Sequence, residues 1–371
     1  MNNPAATPLS QSMLEDLRRQ AQCLQAIAAR RPAFVALGAA ILGQQRDRIV
    51  GFGSGDGWFA ARAVAEHARR DLGLPFEAAS SLETLAYLAP QLAQQDIAGI
   101  AISMSGSADR TNEAADALKA IGAPLLALTN GSGGALAGIT GNKVSLDIVD
   151  LAPFLTGTTK YTATVLALVL LLEGAAQQAH SALTGALETL PEMLTQVETF
   201  ARDFVERLGA TRPTGIRILS AGQNLATAEY GMAKLIKLLP VPVWADEVEE
   251  FAHRQFWTCP ATDLVIYVAT NPAVARCATT SIAALSSMGM TTLVIDTPAT
   301  PVSGATARFT LPAIEERLSP LFAAIPLQYL GYFLALAFGA DPNLSQDVSD
   351  PARFRAAQLL ARRGEIDAPA L

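Results

Sequence analysis

The chain has little of what metal, redox and nucleic-acid proteins are built from. Its three cysteines, Cys23, Cys259 and Cys277, stand far apart among 371 residues with no CxxC pair. That spacing supports neither a disulfide framework nor a zinc site, and no metal is expected. Charged residues make up only 16%, and the net charge is −7. A basic face for nucleic acid or for an anionic membrane is therefore not expected. The first residues lack the basic-then-apolar pattern of a secretory leader. The longest apolar runs, residues 165–172 and 332–339, are shorter than the roughly 20 residues of a bilayer span. A cytoplasmic chain without a membrane partner is the expectation. Aromatics are 6%, but half of all residues are hydrophobic. A large core is available, and the length suits two domains.

What is present is an alternation of short apolar runs, small-residue turns and amphipathic stretches, organised around residues 97–130. Ile100-Ala101-Ile102 closes a buried strand, and Ser103-Met104-Ser105-Gly106-Ser107 follows as a turn. Ala114, Ala115, Leu118 and Ile121 then recur at helical spacing. Gly122 stops that helix, and Pro124 leads into the next strand. Hydroxyls gathered where a strand meets a helix suit an anion, because a helix N-terminus carries partial positive charge. Ser103, Ser105, Ser107 and Thr111 favour that reading over an ordinary serine-capped helix. Residues 103–108 hold no Lys or Arg, so neutral donors would hold the anion.

Upstream, Met13, Leu17, Ala21, Leu24 and Ile27 line one face of a single helix that ends near Pro32. Residues 47–52 form a strand into Gly53-Ser54-Gly55-Asp56-Gly57, followed by a helix over 58–72. Two of those glycines suit a dinucleotide fingerprint. The third is missing and no acidic residue follows at the expected distance, so no nicotinamide cofactor is expected. Residues 76–79 and 144–148 read as strands. The stretch from Thr156 to Thr162 opens a very apolar helix to residue 176, and its threonines either cap the helix or add hydroxyls to the same pocket. Lys160 is either a ligand contact or a surface lysine. A helical connector covers 182–208, broken at Pro191. Strands then follow at 216–220, 264–270 and 291–296, with helices at 226–238 and 273–288.

The second half echoes the first. Ile49-Val50-Gly51-Phe52-Gly53 corresponds to Ile218-Leu219-Ser220-Ala221-Gly222, and Ile100 to Met104 corresponds to Val265 to Ala269 at nearly the same offset. The expected class is α/β: two parallel sheets with helices on both faces. The first copy carries SMSGSADRT where the second carries ATNPAVARC. The first half should hold the anion, and the second should supply framework and reacting groups.

Five stretches together resemble the double sugar-isomerase (SIS) family: GFGSG at 51–55, ISMSGSADRT at 102–111, TGTTKYT at 156–162, EEFAH at 249–253 and the apolar run at 318–343. That family includes the isomerase domain of glucosamine-6-phosphate synthase and bacterial fructosamine-6-phosphate deglycases. The resemblance spans residues 32–346. It implies two tandem SIS-type three-layer α/β/α domains, at 37–181 and 213–346. An N-terminal helical segment at 1–36, a connector at 182–212 and a C-terminal tail at 347–371 complete the division. It implies a phosphorylated sugar or amino sugar as ligand, no cofactor, and a homodimer with a shared active site. Around the phosphate it places Ser54, Gly55, Ser103, the backbone of Met104, Ser105, Thr111 and Thr158. Gly55 and Ala108 stand where the family offers hydroxyls, so phosphate contacts should be fewer. It gives His253 the ring-opening role, with Glu250 three residues before it. Lys237 stands where the family has a proton-transferring glutamate, and Gln346 where the synthase has an imine-forming lysine.

The residues themselves leave alternatives. His253 lies in the run 246–254, where carboxylates around an imidazole suit acid–base work, or simply form a solvated acidic loop. His67, among Glu66, Arg69 and Arg70, reads as solvated, and His180 as a helix-end residue. Lys237 is either a catalytic amine or a surface residue paired with Glu229 or Glu250. Two functions follow. One is a phosphosugar isomerase, deglycase or deaminase working by ring opening and C1–C2 proton transfer, with His253, Glu250 and Lys237 as candidate catalytic groups. The other is a non-catalytic phosphosugar-binding sensor or regulatory protein.

Overall fold

Short aliphatic runs between turns give ten strands among the described residues, gathered into two five-stranded sheets. The computed structural model describes residues 11–43, 46–152, 155–178, 182–209, 211–344 and 350–361. The first sheet contains β1 (Arg48–Gly53), β2 (Phe76–Ser80), β3 (Ile97–Ile102), β4 (Leu125–Thr129) and β5 (Lys143–Ser145), in the order β2-β1-β3-β4-β5. The second contains β6 (Ile216–Ser220), β7 (Val243–Glu247), β8 (Leu264–Ala269), β9 (Thr291–Asp296) and β10 (Ala307–Thr310), in the corresponding order β7-β6-β8-β9-β10. Every pairing is parallel. Parallel sheets need helices on both faces, so their strands are buried throughout. β3 and β8 are buried at every position, which is why both read as unbroken apolar runs. The fold is the expected α/β class, with two three-layer sheets.

The chain divides into two compact units, each with one sheet. The unit of the first sheet also holds residues 159–181 and the helix Pro351–Ala361. On one face, Val50 and Phe52 pack with Ala114, Ala115 and Leu118 of the helix Asp109–Ala120. On the other, a Cβ on Gly51 would lie 3.3 Å from Ala61 in the helix Asp56–Arg70. The helices Arg31–Leu42 and Thr159–Ala176 meet backbone to backbone. A Cβ on Gly38 would stand 2.0 Å from the Leu171 carbonyl oxygen, and one on Gly174 2.0 Å from that of Val35. The Arg31 guanidinium grips the buried Glu173 carboxylate with two bonds, of 2.9 and 3.0 Å.

The unit of the second sheet includes the helix Ser12–Arg18 and residues 150–158. Leu219, Val265 and Tyr267 pack against Val274, Ala278 and Ile282 of the helix Pro272–Ser287. Across the sheet, the helices Gln223–Leu238 and Ser319–Ala337 meet at Gly231, where a Cβ would lie 2.7 Å from Leu327. A buried polar chain ties the unit together. Gln20 Nε2 donates to Gln328 Oε1 (2.9 Å), Gln328 Nε2 donates to the Tyr230 hydroxyl (2.8 Å), and that hydroxyl donates to the Gly157 carbonyl (2.8 Å).

Several expectations change. The N-terminal helix is three helices, Ser12–Arg18, Gln20–Ala29 and Arg31–Leu42. Met13, Leu17, Ala21, Leu24 and Ile27 are all buried, but Pro32 opens the third helix instead of ending the first. Its missing N–H costs nothing in a first turn. Pro191 likewise opens the helix Leu190–Leu208. His67 is not solvated: it is fully buried, and its Nδ1 lies 3.2 Å from Asp71 Oδ2. A bond from Arg70 holds Asp71 below the usual carboxylate range against the opposing pull of burial, with the His67 bond adding to it. Strands β7 and β10 appear where no strand was expected. The length argument against a membrane span fails for the helices themselves. Thr159–Ala176 and the 22 residues Glu316–Ala337 are each long and apolar enough to cross one, although 89% and 83% of their apolar windows are buried inside the protein. His180 and Gln346 lie outside the described residues, as does all of the tail except residues 350–361.

Two outcomes are expected. Gly38→Ala should cost about 3 kcal/mol or more of unfolding free energy in urea, because the intruding methyl meets rigid backbone. Burial pushes the Cys259 thiol up to about 11. Since the thiolate is the reactive form, native Cys259 should resist iodoacetamide at pH 8 and label only after denaturation, as read by mass spectrometry.

Candidate functional site

In each sheet the chain order reverses beside the first strand, between β1 and β3 and between β6 and β8. Loops leave the two strand ends in opposite directions there, which opens a crevice at the carboxyl ends, the usual ligand position in such sheets. At the first reversal, β1 ends at Gly53 and leads through Ser54-Gly55 into the helix Asp56–Arg70, while β3 ends at Ile102 and leads through residues 103–108 into the helix Asp109–Ala120. Neither helix start has a side-chain cap. Gly55 adopts φ 55, ψ −121, a backbone state that side-chain-bearing residues rarely reach.

The turn 103–107 is pinned from below. The Asn130 amide donates to the Met104 carbonyl (2.8 Å), the Leu136 amide to that of Gly106 (3.1 Å), and the Ser103 amide to that of Leu128 (3.1 Å). Gly106 sits at φ +66, and a Cβ there would fall 1.8 Å from the Gly133 oxygen. The Ser107 amide donates to Ser105 Oγ at 3.2 Å. Ser54, Ser105 and Ser107 are exposed, and Ser103 and Met104 half-buried. The start of the helix Thr159–Ala176 reaches this turn, because the Thr164 hydroxyl lies 3.6 Å from Met104 Sδ and 2.6 Å from the Lys160 carbonyl oxygen. Lys160 is therefore one helical turn from the residue touching Met104. Arg110 is engaged with Glu113 at 2.6 Å.

Thr111 is fully buried and faces Ser81: the two hydroxyl oxygens are 2.9 Å apart, and Ser54 Oγ donates to Ser81 Oγ at 3.1 Å. The structure thus joins Ser54, Thr111 and Ser81. Sequence reasoning did not single out Ser81. The available signal was two adjacent serines at the end of an edge strand, one capping (Ser80 Oγ accepts from the Glu83 amide at 3.1 Å) and one free to point inward.

The remaining candidates belong to the other compact unit. Thr158 is buried; its hydroxyl donates to Asp16, and its carbonyl oxygen accepts from Gln328 Nε2 at 3.3 Å. His253 ends the short helix Glu250–His253, and both residues are exposed. Glu247 Oε2 accepts from the amides of Glu249 (2.8 Å) and Glu250 (2.9 Å), so it shapes that helix start. Arg254 bonds the buried Asp246 and reaches Glu250 at 4.0 Å. Asp246, Glu247, Arg254, Gln255, Leu225 and Glu229 line an open cleft of about 300 Å³. Lys237 is exposed in the last turn of the helix Gln223–Leu238, about 12 Å along the axis from Glu229. Lys234, not Lys237, is the buried lysine of that helix, its Nζ 5.1 Å from the centre of the Tyr230 ring. Among the described residues, no three His, Cys, Asp or Glu side chains form a metal-binding group.

No protein-family model and no curated protein matches the chain. Solved structures do, at the level of fold. The tagatose-6-phosphate ketose/aldose isomerase of Escherichia coli is 18% identical, with a TM-score of 0.76, over 92% of this chain and 96% of that one. The glucosamine-6-phosphate deaminase of Thermotoga maritima is 16% identical, with a TM-score of 0.72, over 90% and 97%. The C-terminal domain of the glucosamine-fructose-6-phosphate aminotransferase of Francisella tularensis is 14% identical, with a TM-score of 0.72, over 93% and 100%. Each match extends across both sheets.

Gly106→Ala should both strain a left-handed position and drive a methyl into the Gly133 oxygen. It is expected to lower stability by about 2–3 kcal/mol in chemical denaturation.

Proposed function

We propose that the chain binds a phosphorylated sugar or amino sugar at the first sheet's chain reversal and acts on it as an isomerase, deglycase or deaminase. One observation carries this reading: Ser54 and the serines of 103–107 gather at two uncapped helix starts, in a fold shared with enzymes named for sugar-phosphate isomerisation and deamination. Such donors suit a phosphate group. Ser54, Ser103, Ser105 and the Met104 backbone would hold it, and Lys160 stands close enough along its helix to add positive charge.

In this reading His253 transfers the proton that opens the sugar ring. A carboxylate of the acidic run, Glu250 first, then moves a proton between C1 and C2. No external cofactor is required for that sequence. His253 and Glu250 are exposed in the single chain, so the homodimer with a shared site belongs to the same proposal: general acid–base groups work best where water is excluded. The exposed Lys237, in place of a proton-transferring glutamate, supports a second reading, in which the chain binds a phosphosugar without turnover.

Proton NMR in heavy water with glucosamine 6-phosphate and fructose 6-phosphate separates the two. An enzyme exchanges deuterium at C1 or C2. His253→Ala should then slow exchange by roughly a hundredfold or more, while affinity for the sugar phosphate changes little. Saturable binding without exchange would establish the sensor reading.

A further inference from the structure

We infer that Ser81 is a positioning residue for anion binding, acting through Ser54 with Thr111 behind it. The inference rests on the phosphate reading of the first sheet's site. Three hydroxyls form a chain from solvent inward: exposed Ser54, then Ser81, then Thr111, with steps of 3.1 and 2.9 Å. Ser81 and Thr111 are both 0% exposed, so neither meets a ligand in the crevice directly. Thr111 therefore acts on the anion at second hand.

A hydroxyl both donates and accepts, so such a chain has two directions. In the structure Ser54 gives its proton inward, to Ser81. An anion at the crevice needs the opposite polarity. Ser54 must donate outward to the anion oxygen, accept from Ser81, and leave Ser81 to accept from Thr111. No bond other than hydrogen bonds changes. Donation along a chain strengthens its terminal bond, and a buried hydroxyl left without a partner costs free energy. Ser81 therefore holds Ser54 in place when the anion is absent and supports it as a donor when the anion is bound.

The backbone around Ser81 is built to hold that position. Ser80 caps the Glu83 amide, and the Thr84 hydroxyl donates to the Ser80 carbonyl at 2.9 Å. The chain then enters a π-helical turn, Thr84–Leu88, a geometry that recurs beside functional sites. Ser81 thereby links the ends of β1 and β2 to the first turn of the helix Asp109–Ala120.

The test is calorimetric titration of the full chain with inorganic phosphate. Ser54→Ala and Ser81→Ala should each weaken binding about five- to tenfold. The double variant should be no more than about twofold weaker than Ser54→Ala alone, because Ser81 acts only through Ser54. Thr111→Val should behave like Ser81→Ala, and Thr111→Ser, which keeps the hydroxyl, should restore wild-type affinity. If Ser81→Ala does not fold, the Thr111 pair decides on the same criterion. Phosphate binding by the wild type with multiplicative losses in the double variant, or with none from Ser81→Ala, overturns the relay and leaves the anion site standing. No phosphate binding by the wild type overturns both.

Discussion

Two glycines leave no room for a methyl group, and much of the first unit depends on that. Gly38 and Gly174 let the helices Arg31–Leu42 and Thr159–Ala176 touch backbone to backbone, with each absent Cβ aimed at the other helix's carbonyl oxygen. Contact of that kind fixes position along the axis, since a sliding helix would bring a side chain into the gap. Arg31 and the buried Glu173 lock the same pair at one end. With its axial position set, the helix Thr159–Ala176 can bring its start only to one place. That place is the turn 103–107, touched through Thr164 and Met104. Helix packing thus determines which residues sit beside the hydroxyls.

The two sheets share one strand order, but the side chains at their crevices are arranged differently. At the first reversal the serines face outward. At the second, the polar side chains are spent on one another. Asn224 donates to Thr270 (2.8 Å) and Ser319 (2.7 Å), Thr270 to Ser319 (3.0 Å), and Asn271 to Glu316 (3.0 Å). The sequence contrast between SMSGSADRT and ATNPAVARC pointed to this division. What it could not show is that Ser319, almost fifty residues downstream, fills the second crevice.

What the sequence discloses follows from how local the signal is. β6, β8 and β9 were legible because strands buried on both faces are continuous apolar runs bounded by turns. β7 was not, because Val243-Trp244-Ala245-Asp246-Glu247 follows two prolines and ends in carboxylates. Its last two residues belong to the acidic run 246–254, and only its pairing with β6 makes it a strand. β10 is a four-residue edge strand with alternating exposure, too short to stand out. His67 reads as solvated from its charged neighbours, although helical spacing sets it with Ala60, Ala63 and Val64 on the buried side. Thr158 reads as a helix cap or a donor to the pocket, yet its hydroxyl goes to Asp16, 142 residues away. The site divides in the same way. The turn 103–107 is contiguous, so its hydroxyls stand together in the sequence itself. Ser81 depends on meeting residues 27 and 30 positions distant, and no periodicity reports that.

The charge at the first crevice has a consequence for what it selects. Asp56 and Asp109 each open their helix, where a carboxylate is favoured by the helix dipole. The same dipoles are what an incoming anion would use, so the two compete. Arg110 is already engaged by Glu113, so within residues 103–111 the donors are neutral hydroxyls and backbone amides, with Lys160 the nearby cation from another helix. Neutral donors recognise an anion by geometry more than by charge, and add little long-range attraction. Such a site would discriminate among anions by the fit of their oxygens more than by their charge.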